Sequence, residues 1–461
     1  MGTRTIDPVD TIWLNMDRPD NLMVIESLMM LEEPMDWPRF LGVLQRRVID
    51  RYPVFRQRPV QSRIPFALPH WEDDPDFSLE RHVHLATLAA PGDDAALQDY
   101  VNTFLSTPLE RDRPLWEMHL IDGYGGGSAV YSRLHHALAD GIALSRVLLS
   151  LSDATADGDL AEEEPDDRAA PAWWQSAWES SRHAAGAAAL ALLDLPRLVT
   201  PGHAADALTV VSQSAAVAGK LLLTRNPDSP VSGGVGEQKR AIWAPPYPLD
   251  AVVEAGHRTG TTVNDVLVAA LAGALSSYLR DHHGDPVDVP TMVPVNVRAL
   301  DEPLPRELGN KFALVLFLLP SGLGTPFARL AETKRRMDAI KHSPEAVMTF
   351  GMIRGIGRTG PEVERFLVDF FANKATGVTT NVPGPRTPRY VAGTRITALL
   401  GWAPESGDQT LGTSIFTYDG QVHVGFKVDA GVIPRPEDLL TAFTAELGLL
   451  CRLGATQEVT S

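Results

Sequence analysis

What most limits the fold of this chain is a change of pattern along it. Strand-like and helix-like segments mix through residues 1–155 and again through 236–461, and between them lies a stretch of different character. That stretch, 156–235, opens on an acidic run (Asp157, Asp159, Glu162, Glu163, Glu164, Asp166, Asp167). It continues as alanine-rich helical segments separated by Pro196 and Pro201, and closes on a Ser/Gly-rich tract. A length of 461 residues exceeds the ~100–200 residues of a usual single core. The pattern therefore reads as two α+β halves joined by a helical connection. No repeat period is visible.

Local signals fill in the halves. Phe40, Leu41, Leu44 and Val48 put one apolar face on a helix over 40–52, ended by Tyr52-Pro53. A second helix is expected over 95–104. Strands at 116–122 and 128–134 flank Gly123-Tyr124-Gly125-Gly126-Gly127, a hairpin signal. Leu267, Leu271 and Leu275 repeat at four along a helix expected over 263–280, with Asn264 as a candidate cap. Residues 289–297 and 312–319 are β-rich. Thr325 and Pro326 open a charged helix that runs to Lys341. Strands at 413–418 and 421–428 meet at Asp419-Gly420, a favoured two-residue turn. A last helix is expected over 438–450.

Charge and composition exclude several classes of function. Lys plus Arg number 41 against 58 Asp plus Glu, a net charge of −17. That argues against nonspecific nucleic-acid binding and against a polybasic membrane anchor. The single cysteine, Cys451, permits neither an internal disulfide nor a cysteine-based metal site. The opening MGTRTIDPVD has no apolar signal region, and Ile6 stands where a myristoylation signal needs Ser or Thr. The longest apolar runs, 184–193 and 312–319, fall well short of the ~18–20 residues that cross a bilayer. The expectation is a cytoplasmic protein. There is no GxSxG, P-loop or HExxH element.

The stretch that bears most on chemistry is Arg133-Leu134-His135-His136-Ala137-Leu138-Ala139-Asp140-Gly141. Two histidines close a strand, so their side chains point to opposite faces. One should face a cleft while the other packs inside. Imidazole suits general-base work near neutral pH. A second reading is a strand end followed by a helix that Asp140 caps. The residues alone leave both open.

His135-His136-x-x-x-Asp140-Gly141 resembles the signature of CoA-dependent acyltransferases with a chloramphenicol-acetyltransferase-like fold. More of the chain resembles one branch, the bifunctional wax ester synthase/diacylglycerol acyltransferases. The opening Trp13-Leu14-Asn15-Met16-Asp17-Arg18-Pro19-Asp20-Asn21-Leu22-Met23 looks like that branch's start. Pro114-Leu115-Trp116 matches its PLW motif and Asn264-Asp265 its ND motif. Val293-Pro294-Val295-Asn296-Val297-Arg298 and Thr380-Asn381-Val382-Pro383-Gly384-Pro385 are similar to further family segments. The likeness spans nearly the whole chain.

The resemblance implies two α/β domains of that fold, joined by a helical linker, with an active-site channel at their interface. It implies acyl transfer from acyl-CoA to the hydroxyl of diacylglycerol or a fatty alcohol, with no metal and no cofactor beyond the acyl-CoA co-substrate. His136 would be the general base and His135 an orienting residue. Asp140 would hold an ion pair with Arg298, and Gly141 would give the chain room to turn into the helix. An oxyanion needs hydrogen-bond donors, for which Asn264, Asp265, Thr380 and Asn381 stand as candidates. Trp116 reads as core. CoA phosphates need a basic patch in this acidic protein, and Lys334, Arg335, Arg336 and Lys341 share one expected helix. Arg386 and Arg389 are a second pair. Trp173, Trp174 and Trp178 in the connection allow an amphipathic contact with a membrane or lipid droplet. Two alternatives stay open: another CoA- or carrier-dependent acyltransferase of this fold, and a non-catalytic lipid-droplet scaffold. Oligomeric state is not legible.

Overall fold

The structure is a computed structural model. It describes residues 3–158 and 217–456 apart from positions 63, 65, 66, 218, 297–302, 342, 358 and 360. Most of the expected connection, with Trp173, Trp174 and Trp178, lies outside the described residues. Of its far end, residues 219–223 are helical.

The N-terminal half runs β1 (Thr3–Thr5), α1 (Pro8–Met16), β2 (Val24–Leu31), α2 (Trp37–Leu44), β3 (Gln57–Val60), β4 (His70–Asp73), β5 (Val83–Thr87), α3 (Asp94–Asn102), β6 (Trp116–Tyr124), β7 (Gly127–His135), α4 (Gly141–Leu149) and β8 (Ser152–Asp153). The C-terminal half runs β9 (Lys239–Trp243), β10 (Tyr247–Pro248), α5 (Leu249–Thr259), α6 (Val263–Asp281), β11 (Val289–Asn296), β12 (Phe312–Leu319), α7 (Pro326–Lys341), α8 (Glu345–Ile356), α9 (Pro361–Ala372), β13 (Gly377–Pro383), β14 (Tyr390–Val391), β15 (Thr394–Trp402), β16 (Leu411–Tyr418), β17 (Gln421–Asp429) and α10 (Pro436–Thr456).

Local chemistry sets several of these bounds. Gly125 and Gly126 take φ of 59° and 87° and close the β6–β7 hairpin, while Asp419 and Gly420 at 45° and 73° close β16–β17. The expected helix over 40–52 is shorter: α2 stops at Leu44 and continues as a wide π turn over Gln45–Ile49. Asn264 does not cap α6. Thr262 does, in a reciprocal capping box with Asp265, an arrangement that typically contributes ~1 kcal/mol. Leu267, Leu271 and Leu275 are fully buried, as their spacing predicts. Each such burial contributes about 1.5–3 kcal/mol.

Two seven-stranded sheets result. One has the order β5-β6-β7-β2-β15-β14-β8. The other has β10-β17-β16-β13-β11-β12, with β9 also on β17. The sheets do not divide the chain at a single point. Strands β14 and β15 lie within 236–461 yet complete the N-terminal sheet, where β15 pairs antiparallel with β2, Leu400 opposite Leu28. The physical reason is that β2 is buried along almost its whole length, so it needs a strand on each edge, and β7 supplies only one. The crossover leaves β13 through Gly384-Pro385. The segment Asn381–Pro385 begins within β13, which runs parallel to both β11 and β16.

Candidate active site

Strand β7 is buried at all nine positions and delivers both histidines. His135 turns into the core. Its Nδ1 accepts from the Ala137 amide at 3.1 Å, and its Nε2 lies 3.7 Å from Asp17 Oδ2. Burial pushes the His135 imidazole down. Burial also acts to raise Asp17, but the His135 imidazole beside it and hydrogen bonds from the Met23 amide and Arg111 outweigh it and hold that carboxyl low. His135 is thus held in the core rather than on the cavity wall.

His136 turns the other way and lines a cavity. Its amide donates to the Met23 carbonyl at 2.8 Å. The Trp13 indole stacks on its ring with centroids 3.9 Å apart, and Phe312 sits at 5.8 Å. Its own carbonyl accepts from Asn310 Nδ2 at 2.7 Å. Asn310 is held in turn by Asp10, whose Oδ1 accepts from the Asn310 side chain at 2.9 Å and from its amide at 2.8 Å. Burial drives the His136 imidazole down to about 3 and the Asp10 carboxyl up to about 7. At neutral pH His136 is therefore the free base.

Asp140 is the N-cap of α4. Its Oδ1 accepts from the Ala143 amide at 2.9 Å and its Oδ2 from the Lys311 amide at 3.0 Å. It therefore ties the end of the histidine strand to the segment entering β12. The expected pairing with Arg298 lies outside the described residues. Gly141 needs a correction. Its φ is not positive, so the turn does not require glycine. A Cβ there would meet nothing within 4 Å, and Gly141 lines the cavity. Its absent side chain keeps that space open.

The cavity has a volume of about 240 Å³ and draws its walls from both halves. Ile12, Trp13 and Met16 of α1, Leu144 and Leu148 of α4, Met352 and Ile356 of α8, Phe371 of α9 and Val378 and Val382 of β13 make it largely apolar. Thr380 and Asn381 line it as well, whereas Asn264 and Asp265 do not. Asn381 Nδ2 donates to Asn264 Oδ1 at 2.7 Å, and among the described residues the buried Asn264 Nδ2 has no partner. Thr380 donates to the Thr413 carbonyl at 3.3 Å. Trp116 is core, its Nε1 bound to the Phe55 carbonyl.

The basic cluster on α7 lies away from this cavity. Lys334 pairs with Asp338, Arg335 with Glu332, Arg336 with Glu332 and Asp288, and Lys341 with Asp338. Arg335 and Arg336 border a second, more open hollow with Lys220 and Glu345. Arg389 is spent on Ser152, and Arg386 is exposed. Sequence reasoning assigned no role to Asp10, Trp13, Asn310 or Phe312. Asp10 and Trp13 lie three apart on α1 and so share a face, but nothing local says what that face meets.

Comparison with known proteins bears on the family and the fold. The profile of the wax ester synthase/diacylglycerol acyltransferase catalytic domain matches residues 6–267, and that of the WS/DGAT C-terminal domain matches 308–450. A Mycobacterium tuberculosis protein named for diacylglycerol O-acyltransferase activity is 28% identical over 96% of both chains. The solved wax ester synthase/diacylglycerol acyltransferase of Marinobacter aquaeolei superposes with a TM-score of 0.68 at 20% identity, covering 98% of this chain and 99% of that one. The first condensation domain of the calcium-dependent antibiotic synthetase follows at 0.62 and 17%, covering 99% and 97%. The fold is thus the two-domain α/β fold shared with condensation domains, and the chain belongs to the wax ester synthase/diacylglycerol acyltransferase family.

Proposed function

We propose that the protein transfers a fatty acyl group from acyl-CoA to the hydroxyl of diacylglycerol or a long-chain alcohol, giving triacylglycerol or wax ester and free CoA. The observation that carries this reading is a neutral, buried His136 on the wall of a largely apolar cavity. Among the described residues His136 Nδ1 is buried without a partner, so Nε2 is the nitrogen assigned to the acceptor. Nε2 takes the hydroxyl proton as the acceptor oxygen attacks the thioester carbon. The carbonyl oxygen becomes an oxyanion, for which Asn381 and Thr380, on the cavity wall, are the candidate donors. Collapse breaks the C–S bond, and the imidazolium returns the proton to the CoA sulfur. The low basicity that burial gives the ring is offset as the oxyanion forms, because opposite charge favours the imidazolium. A thioester is already activated, so Cys451 has no part to play and no acyl-enzyme is needed.

The CoA phosphates require local positive charge against a net charge of −17. Lys334, Arg335 and Arg336 would provide it by releasing their acidic partners. We place the enzyme in the cytoplasm, in contact with the lipid surface that holds its water-insoluble acceptor.

The test is release of free thiol from palmitoyl-CoA with diolein or hexadecanol as acceptor. Stimulation by either supports the reading, and the ratio of the two sets the main product. His136→Ala should remove the stimulated release while leaving the fold intact, and retained turnover would sink the mechanism. The likeness to condensation domains keeps one other donor in view. If a carrier-bound acyl thioester is consumed and palmitoyl-CoA is not, the enzyme is a carrier-dependent relative.

A further inference from the structure

Helix α1 grips His136 twice. Asp7 caps this helix, its Oδ1 accepting from the Val9 amide at 2.9 Å, and Pro8 opens the first turn. From that turn Asp10 holds Asn310, which donates to the His136 carbonyl. Three residues on, Trp13 lays its indole over the His136 ring, with centroids 3.9 Å apart and planes 27° from parallel. Phe312 closes the corner, 5.8 Å from the imidazole and 5.7 Å from the indole. The histidine backbone is thus held through Asp10 and Asn310, and its ring through Trp13.

Packing alone does not account for an indole at this place. Trp13 Nε1 is buried and, among the described residues, has no partner. An unpaired buried N–H is a cost that phenylalanine or leucine would not carry. What an indole offers beyond them is the side-chain face that binds cations best. The ring against that face becomes a cation during the reaction, and no carboxylate is placed to share its charge. Asp17 lies against His135 instead. Asp140 turns its two oxygens to the Ala143 and Lys311 amides. The groups that act on the His136 ring are its own backbone, His135 and Asn310, and none of them is an anion.

We propose that Trp13 is a catalytic residue: its indole face stabilises the His136 imidazolium as the acceptor proton arrives, and so lowers the barrier to attack on the thioester. The proposal rests on the acyl-transfer reading of His136 and adds a second residue to its chemistry. Trp13 lines the cavity and lies against the reacting ring. A neutral imidazole gains little from the same face, so the interaction strengthens only as charge develops, which is what accelerates a reaction. The site is buried, where a cation over an aromatic face is stabilised most.

The experiment uses the full chain, produced in a tryptophan auxotroph on singly, doubly or triply ring-fluorinated tryptophan. Fluorine draws electrons from the indole face while barely changing its shape, so it weakens cation binding and spares packing. All nine tryptophans take the label, so the same series is made in Trp13→Phe as background. For palmitoyl-CoA with hexadecanol, kcat should fall stepwise, about tenfold over the wild-type series, with KM for palmitoyl-CoA within about twofold. The Trp13→Phe series should start severalfold lower and stay level. A level wild-type series overturns the proposal, as does an equal fall in the Trp13→Phe series. A change confined to KM also overturns it, and leaves Trp13 as cavity wall alone. If no acceptor supports turnover, the acyl-transfer reading fails, and alkylation by decyl bromomethyl ketone decides the charge-stabilising stack by itself. Nε2 attacks the methylene carbon, a C–N bond forms and bromide leaves. The ring becomes an imidazolium, which then loses its Nδ1 proton to water. Labelling of His136, followed by peptide mass, should slow across the wild-type fluorine series and stay level in Trp13→Phe. Equal rates across the wild-type series, or no labelling of His136, would then overturn the stack.

Discussion

At the scale of single residues, burial decides the chemistry of the site. His136 is 7% exposed and Asp10 2%, and each is driven toward its neutral form. Asn310 links them, donating to the carbonyl of one and to the carboxylate of the other. Asn310→Ala would leave that buried carbonyl short of a donor, at a cost of about 1–3 kcal/mol, and would free the histidine backbone to shift. We expect kcat to fall about tenfold or more while KM for palmitoyl-CoA stays within about twofold. A rise in KM at constant kcat would place Asn310 in substrate binding instead. Asp10 carries a pH signature. Its folded carboxyl titrates at about 7 against an ordinary 3.8, so between those values the folded state holds more protons than the unfolded one. Stability due to this group therefore falls as pH rises. In urea unfolding, wild type minus Asp10→Asn should drop by about 2–3 kcal/mol from pH 5 to pH 8. A constant difference would mean Asp10 is ionised throughout. His136 was legible because its motif is compact. Asp10 and Asn310 were not, because their partnership spans 300 positions and neither sits in a distinctive local pattern.

At the scale of elements, what was readable followed the range of the forces involved. The β6–β7 and β16–β17 hairpins rest on two-residue turns that need left-handed backbone, so Gly125-Gly126 and Asp419-Gly420 announce them. The α6 helix declared itself by leucine spacing, but its cap was misplaced by two residues because both Thr262 and Asn264 are competent capping types. The insertion of β15 beside β2 had no local signature at all. The first turn of α4 carries a prediction. Gly141 opens that helix, and a side chain there would project into open space. Gly141→Leu should fold normally, since leucine favours helix over glycine. It should leave the melting temperature unchanged or slightly higher and raise KM for hexadecanol severalfold by occupying the cavity. Unaltered kinetics would show that the acceptor does not pass this point.

At the scale of the whole molecule, the question is what holds two sheets in fixed relation around a cavity. Part of the answer is a buried charge cluster at their junction. Lys427 of β17 lies 3.0 Å from Glu26 of β2 and 3.1 Å from Glu405 in the β15–β16 connection. All three are under 10% exposed. Burial acts against the ammonium, but the two carboxylates outweigh it and raise its pKa, whereas burial prevails for Glu26 and raises that carboxyl. Such a cluster adds little net stability, because desolvation consumes most of the attraction. What it does is penalise any arrangement in which one member is missing, and since its members come from both sheets, it fixes how they meet. Glu26 also borders the cavity, so the register of the sheets and the shape of the cavity are set together. Lys427→Met, which leaves two carboxylates facing each other in the interior, should cost about 3–5 kcal/mol and lower activity with it. Adding Glu26→Gln and Glu405→Gln should restore most of the stability, because no uncompensated charge remains. If activity recovers less than stability does, the cluster acts by holding the cavity in shape. If Lys427→Met alone costs under about 1 kcal/mol in urea unfolding, the cluster is solvated and another contact sets the register of the two halves.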